Sequence, residues 1–109
     1  MVEQVGTALI GCGKVGDTHA RAFASLRESH FVAIYHPSPE KAGACAMRYG
    51  VRAYTDLDQM LADSSIQMVS ICTPHPSHSE LAVACARAGV HVLVEKPMAV
   101  DLKGCDQMI

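Results

Sequence analysis

Short apolar runs alternate along this chain with longer stretches in which apolar residues recur at helical spacing. The runs Val5 to Ile10, Phe31 to Tyr35, Arg52 to Tyr54, Met68 to Cys72 and His91 to Val94 predict strands. Between the first two, Ala20, Phe23, Ala24 and Leu26 predict the buried stripe of a helix. Ser38-Pro39-Glu40 starts the next helix, with Ser38 as N-cap and Pro39 at the first helical position; Gly50 closes it after Tyr49. Thr55 is expected to cap a brief helix holding Leu57, Met60 and Leu61. Ser77 and Glu80 read as the capping box of a helix through Ala88, closed by Gly89. Asp101 reads as the N-cap of a last helix with Leu102, Cys105, Met108 and Ile109 on one face. That stripe is unfinished at Ile109, and the expectation is a fragment with further chain beyond it.

Strands that are apolar throughout and alternate with helices imply parallel pairing with helices on both faces. Right-handed crossovers then give an α/β fold, a doubly wound parallel sheet of the Rossmann type with strand order 3-2-1-4-5. Residues 1–109 form one domain on this reading.

Composition narrows the function classes. The formal net charge is -2, so no basic stripe invites nucleic acid. No apolar run reaches the roughly 20 residues of a membrane span, and the N-terminus lacks a secretory pattern. The five cysteines, Cys12, Cys45, Cys72, Cys85 and Cys105, follow no disulfide scaffold. They are expected to be buried or half-buried free thiols in a reducing compartment, the cytoplasm.

Gly11-Cys12-Gly13-Lys14-Val15-Gly16 is a G-x-G-x-x-G fingerprint between a strand and a helix, the context a dinucleotide site requires. Gly11 permits the tight turn, Gly13 lets a pyrophosphate reach the backbone, and Gly16 lets helix and strand approach. The phosphates would sit on the helix N-terminus. A carboxylate should then follow the second strand to hold the ribose hydroxyls, but His36 stands there. His36 does not repel a 2'-phosphate, Ser38 can both cap its helix and donate to such a phosphate, and Lys41 lies one turn on. The cofactor is NAD or NADP, with a tilt toward NADP.

The fourth strand runs into Thr73-Pro74-His75-Pro76-Ser77-His78 and the fifth into Glu95-Lys96-Pro97. In an open parallel sheet ligands bind beyond the carboxyl ends of the strands, so Thr73, Pro74 and His78 should share the crevice of the glycine loop, with Lys96 at its far side. A metal site built from Cys72, His75, His78 and Cys12 is a rival use of these residues, disfavoured because Pro74 and Pro76 break the face that would converge them. His19 is expected to pack or hydrogen-bond rather than to catalyse.

With these motifs in order, the chain resembles the Gfo/Idh/MocA family of oxidoreductases. The resemblance rests on the glycine loop with His19, on Thr73-Pro74 with His78, and on Gly89 to Pro97, ending in Glu95-Lys96-Pro97. It implies hydride transfer between NAD(P) and a hydroxyl-bearing carbon of a sugar, cyclitol or similar polyol. It further implies a second α/β domain that forms the substrate wall and often the dimer interface, so the parent is expected to be a homo-oligomer. Lys96 is the implied catalytic residue, beside the nicotinamide and the reacting oxygen. Glu95 either orients Lys96 or contacts the nicotinamide ribose. These 109 residues alone are expected to bind nucleotide weakly and not to catalyse. A non-catalytic redox sensor or a binding scaffold remains the alternative on the residues themselves.

Overall fold

The structure, a computed structural model, describes residues 3–73, 77–95, 99 and 101–109. Five strands form one parallel sheet: β1 (Val5–Ile10), β2 (Ser29–Tyr35), β3 (Arg52–Tyr54), β4 (Met68–Ile71) and β5 (His91–Val94). Their order is β3-β2-β1-β4-β5, as the alternation of runs and helices predicts. β1 is central because it buries both faces: Ala8, Leu9 and Ile10 are all inaccessible to solvent. Ala8 lies opposite Val69 and Ile10 opposite Ile71 in β4, so apolar side chains meet across the ladder.

Helices α1 (Lys14–Ser25) and α2 (Pro39–Tyr49) cover one face. Helices α3 (Leu57–Leu61) and α4 (His78–Arg87) cover the other. A last helix, α5 (Leu102–Met108), packs on α4. The two faces are unequal. Under α3 and α4 the buried cluster joins Ile10, Val32, Met60, Ile66, Val69, Ile71, Ala82 and Cys85 among others. Under α1 and α2, among the described residues, it consists of Leu9, Ala20, Ile34 and Cys45, flanked by half-buried Cys12, Phe31, Tyr49, Val51 and Cys72. Phe31 supplements that thinner face by touching Phe23 and Tyr49, each at a centroid distance of 5.8 Å. Such aromatic pairs add about 1 kcal/mol each beyond their area.

Local signals set most helix ends. Ser38 accepts from the Lys41 N–H, Pro39 opens α2, and Gly50 ends it at φ 67°. Asp101 accepts from the Gly104 N–H at 2.8 Å and opens α5.

Four expectations need correction. The buried stripe of α1 is Gly16, Ala20 and Phe23; Ala24 is exposed, and Leu26 lies past the helix on extended backbone, exposed. The cap of α3 is Asp56, not Thr55, because the Asp56 carboxylate accepts from both Asp58 and Gln59 N–H groups. Ser77 does not close a capping box: its backbone is already helical (φ -89°, ψ -7°), and its hydroxyl bonds Thr73 instead. In α5, Leu102 and Ile109 are exposed while Met108 of the expected face packs against the core, and buried Gly104 comes close to Ser79.

Candidate dinucleotide site

The carboxyl ends of β1, β2 and β4 open onto a crevice of about 960 Å³. Gly11, Cys12 and Gly13 form its floor, with His36 and Lys41 on one side and Thr73 on the other. Two of the glycines are there because nothing larger fits. A Cβ on Gly11 would stand 2.8 Å from the Cys72 carbonyl, at a φ of 101° that L side chains avoid. A Cβ on Gly16 would stand 2.7 Å from the Gly11 carbonyl oxygen. Gly13 is different: a Cβ there would meet nothing within 4 Å. The space above it is open for a ligand.

Gly13 is also the N-cap of α1 and offers no side chain to the first N–H groups of the helix. Lys14 and Val15 stand exposed at that end. Bare N–H groups and the positive end of a twelve-residue helix beside an open floor suit a pyrophosphate. The residues present therefore fit a dinucleotide.

At the far end of β2, His36 accepts a hydrogen bond at Nδ1 from the Ser38 N–H at 2.9 Å. That leaves Nε2 as the protonated nitrogen of the neutral ring. Burial and then the Lys41 charge hold His36 below its ordinary pKa. Ser38 itself serves as the helix cap and is not among the crevice-lining residues. Arg48 is a lining residue that sequence reasoning missed; it pairs with Asp17 of α1 at 3.0 Å. A basic residue in a last helical turn reads as a complement to the dipole, and nothing local shows that it reaches the crevice.

Thr73 and Ser77 share a hydroxyl hydrogen bond of 2.7 Å at the crevice wall. His78, expected to line the crevice, is instead fully buried and not a lining residue; its Nε2 donates to the Thr73 carbonyl at 2.9 Å. Glu95 sits at the end of β5, where its carboxylate accepts from His19 Nε2 at 2.8 Å. His19 also meets Ser70 of β4 through Nδ1. The expectation that His19 hydrogen-bonds is met, while its partner Ser70, a hydroxyl inside an apolar strand, was not foreseen. Pro74 and Lys96 lie outside the described residues, as does His75.

Three thiols line the crevice: Cys12, Cys45 and Cys72. Burial and a hydrogen bond to Cys45 push the Cys12 thiol up to about 12. Burial, with Glu95 nearby, raises Cys72 to about 11. All five cysteines are free, as expected. Among the described residues no group of three His, Cys, Asp or Glu side chains is arranged to hold a metal ion, and no helix is long and apolar enough to cross a membrane.

Residues 5–109 match the profile of GFO_IDH_MocA, an oxidoreductase family with an NAD-binding Rossmann fold. The chain belongs to this Gfo/Idh/MocA family. Myo-inositol 2-dehydrogenase of Thermotoga maritima is 32% identical over 102 residues, which are 93% of this chain and 30% of that protein. The scyllo-inositol 2-dehydrogenase (NADP(+)) of Bacillus subtilis is 34% identical over 103 residues, 94% of this chain and 31% of that one. The WlbA dehydrogenase of Bordetella pertussis, solved with NADH and UDP-GlcNAcA, superposes with a TM-score of 0.91 at 31% identity, over 97% of this chain and 33% of that one. The chain thus spans between 30% and 33% of the length of these relatives.

Proposed function

We propose that this chain is the nucleotide cradle of an NAD(P)-dependent dehydrogenase acting on a hydroxyl-bearing carbon of a sugar, cyclitol or similar polyol. The observation that carries the reading is the open floor above Gly13, set against the bare N-terminus of α1 and bounded by His36 and Thr73. Inositol and sugar-nucleotide chemistry in the names of its relatives supports the substrate class.

Gly11, Cys12 and Gly13 with the first turn of α1 hold the pyrophosphate in this reading. His36, Lys41 and the N-terminus of α2 hold the adenosine ribose, Thr73 walls the middle, and Glu95 stands at the nicotinamide half. When bound, the nicotinamide supplies the hydride acceptor or donor. Lys96 stabilises the negative charge that develops on the substrate oxygen; its assignment rests on the family resemblance of Glu95-Lys96-Pro97. His36, not a carboxylate, directly follows β2, and His36 and Lys41 tilt the choice toward NADP. Substrate recognition and homo-oligomerisation fall to residues outside these 109, and we place the protein in the cytoplasm, where its buried thiols stay reduced.

The test is a calorimetric titration of the chain with NAD and NADP separately, at low and moderate salt. Binding of either supports the cradle, and tighter binding of NADP supports the 2'-phosphate reading. A chain that is folded by circular dichroism and takes up neither nucleotide at millimolar concentration overturns it.

A further inference from the structure

We propose that His19 is a positioning residue that holds the Glu95 carboxylate at the nicotinamide half of the crevice. The proposal rests on the dinucleotide reading above. His19 lies on α1, with its side chain 17% exposed, and joins two elements far from it in sequence. Glu95 accepts from its Nε2 at 2.8 Å, across 76 residues. A carboxylate at neutral pH only accepts, so Nε2 carries the proton. On the other side of the ring, Nδ1 meets the hydroxyl of Ser70, which is inaccessible to solvent. A hydroxyl can donate to a neutral ring or accept from a charged one, so the ring plane is held in either state.

The place of this relay argues for function. β4 and β5 lie on the opposite side of β1 from β2, whose end carries His36 and, one turn into α2, Lys41. A dinucleotide with its adenosine ribose at His36 and its pyrophosphate at Gly13 extends its second nucleoside over the ends of β4 and β5. Glu95 follows β5 directly; it is not itself a lining residue of the crevice, but its charge acts on Cys72, which is. If His19 only filled space between α1 and the sheet, an apolar side chain would do so without burying a hydroxyl and an imidazole. The polar relay instead fixes the rotamer of a carboxylate that is itself one-third exposed, 34%. A long side chain at that exposure samples several rotamers unless something holds it.

The experiment separates the two halves of the cofactor. Wild-type chain, His19→Ala, His19→Gln and Glu95→Ala are titrated with NADH against ADP-ribose, and with NADPH against 2'-phospho-ADP-ribose. The second ligand of each pair lacks the nicotinamide. His19→Ala and Glu95→Ala are expected to weaken the reduced dinucleotide about tenfold and to leave the nicotinamide-free ligand within about twofold. His19→Gln, whose amide can donate to Glu95, is expected to recover most of the loss. An equal loss for both ligands of a pair would show a structural role only and overturn the proposal, as would unchanged affinity for the dinucleotide in His19→Ala. Glu95→Ala alters a partly exposed side chain and keeps the test readable should His19→Ala fail to fold. Failure of wild type to bind any of the four ligands would overturn the cradle itself, and this inference with it.

Discussion

A Cβ on Gly16 would stand 2.7 Å from the carbonyl oxygen of Gly11, whereas one on Gly13 would touch nothing. The two glycines of one fingerprint therefore do separate jobs. Gly16→Ala is expected to destabilise the fold by about 1–3 kcal/mol, since the neighbour is backbone and cannot swing aside. Gly13→Ala is expected to keep the wild-type unfolding midpoint while weakening dinucleotide binding at least about tenfold. Urea unfolding and calorimetry on the same samples check both. A Gly16→Ala chain with wild-type stability would contradict the packing argument.

His36 makes cofactor choice depend on pH. Its pKa in the fold is held below 6.5, by burial first and Lys41 second, so the ring is neutral at pH 7. Binding of a 2'-phosphate favours the charged ring. Lowering the pH from 7 toward 5 charges the ring but also protonates the 2'-phosphate, whose second pKa is about 6. The NADP-to-NAD affinity ratio of wild type should therefore rise relative to that of His36→Gln as the pH falls. Lys41→Ala should reduce NADP affinity more than NAD affinity, and less so at high salt. Titrations at three pH values decide it; a wild-type ratio that follows that of His36→Gln at every pH removes His36 from the phosphate site.

Thiol labelling reports crevice occupancy. Cys12 and Cys72 line the crevice with pKa values raised to about 12 and about 11, so both should react slowly with iodoacetamide at pH 8. Bound dinucleotide should slow them further. Half-buried Cys105 of α5 is not a crevice residue and should label at the same rate with and without ligand. Peptide mass mapping after timed labelling gives the rates, and equal protection of all three would indicate general tightening instead.

Asp63 ties the end of α3 to β3. Its carboxylate accepts from Ser65, from Tyr54 at 2.8 Å and from Arg52 at 3.0 Å. The Ser65 hydroxyl and then the Tyr54 phenol hold its pKa below 3.8. A carboxyl group with a lowered folded-state pKa stabilises the fold above its unfolded value and loses that contribution as pH falls through the folded one. Stability should thus decline below about pH 4. In Asp63→Asn the fold should be weaker at pH 7 and its acid limb flatter. Tyr54→Phe should lose about 1 kcal/mol. Chemical denaturation across pH 3 to 7 measures each, and an acid limb unchanged in Asp63→Asn would exclude this carboxylate as a source of it.

The sheet order, the glycine loop and the ends of α2 could be read from the chain because their causes are local. Ser38-Pro39 and Gly50 act within one turn, and β1 announces burial on both faces by its composition. What escaped depends on what comes near from elsewhere. Ser70 looks like a flaw in an apolar strand until His19 arrives from α1. Arg48 looks like an ordinary helix end until α2 swings it over to Asp17. Ser77 and Glu80 have the spacing of a capping box, yet Thr73 engages the Ser77 hydroxyl first. Leu102 and Ile109 share an apolar pattern, while α5 packs inward through Gly104 and Met108.

The unequal layers of the sheet bear on how the molecule breathes. Cys12, Cys45 and Cys72 belong both to the thin cluster under α1 and α2 and to the wall of the crevice. A nucleotide lying there completes an interior that the polypeptide leaves sparse. Amide protons of α1 and α2 should exchange with solvent sooner than those of β4 and α4 in the bare chain, and should slow most on binding. On that face a bound dinucleotide would act as the last piece of the core, and its release would be a partial loosening of the protein itself.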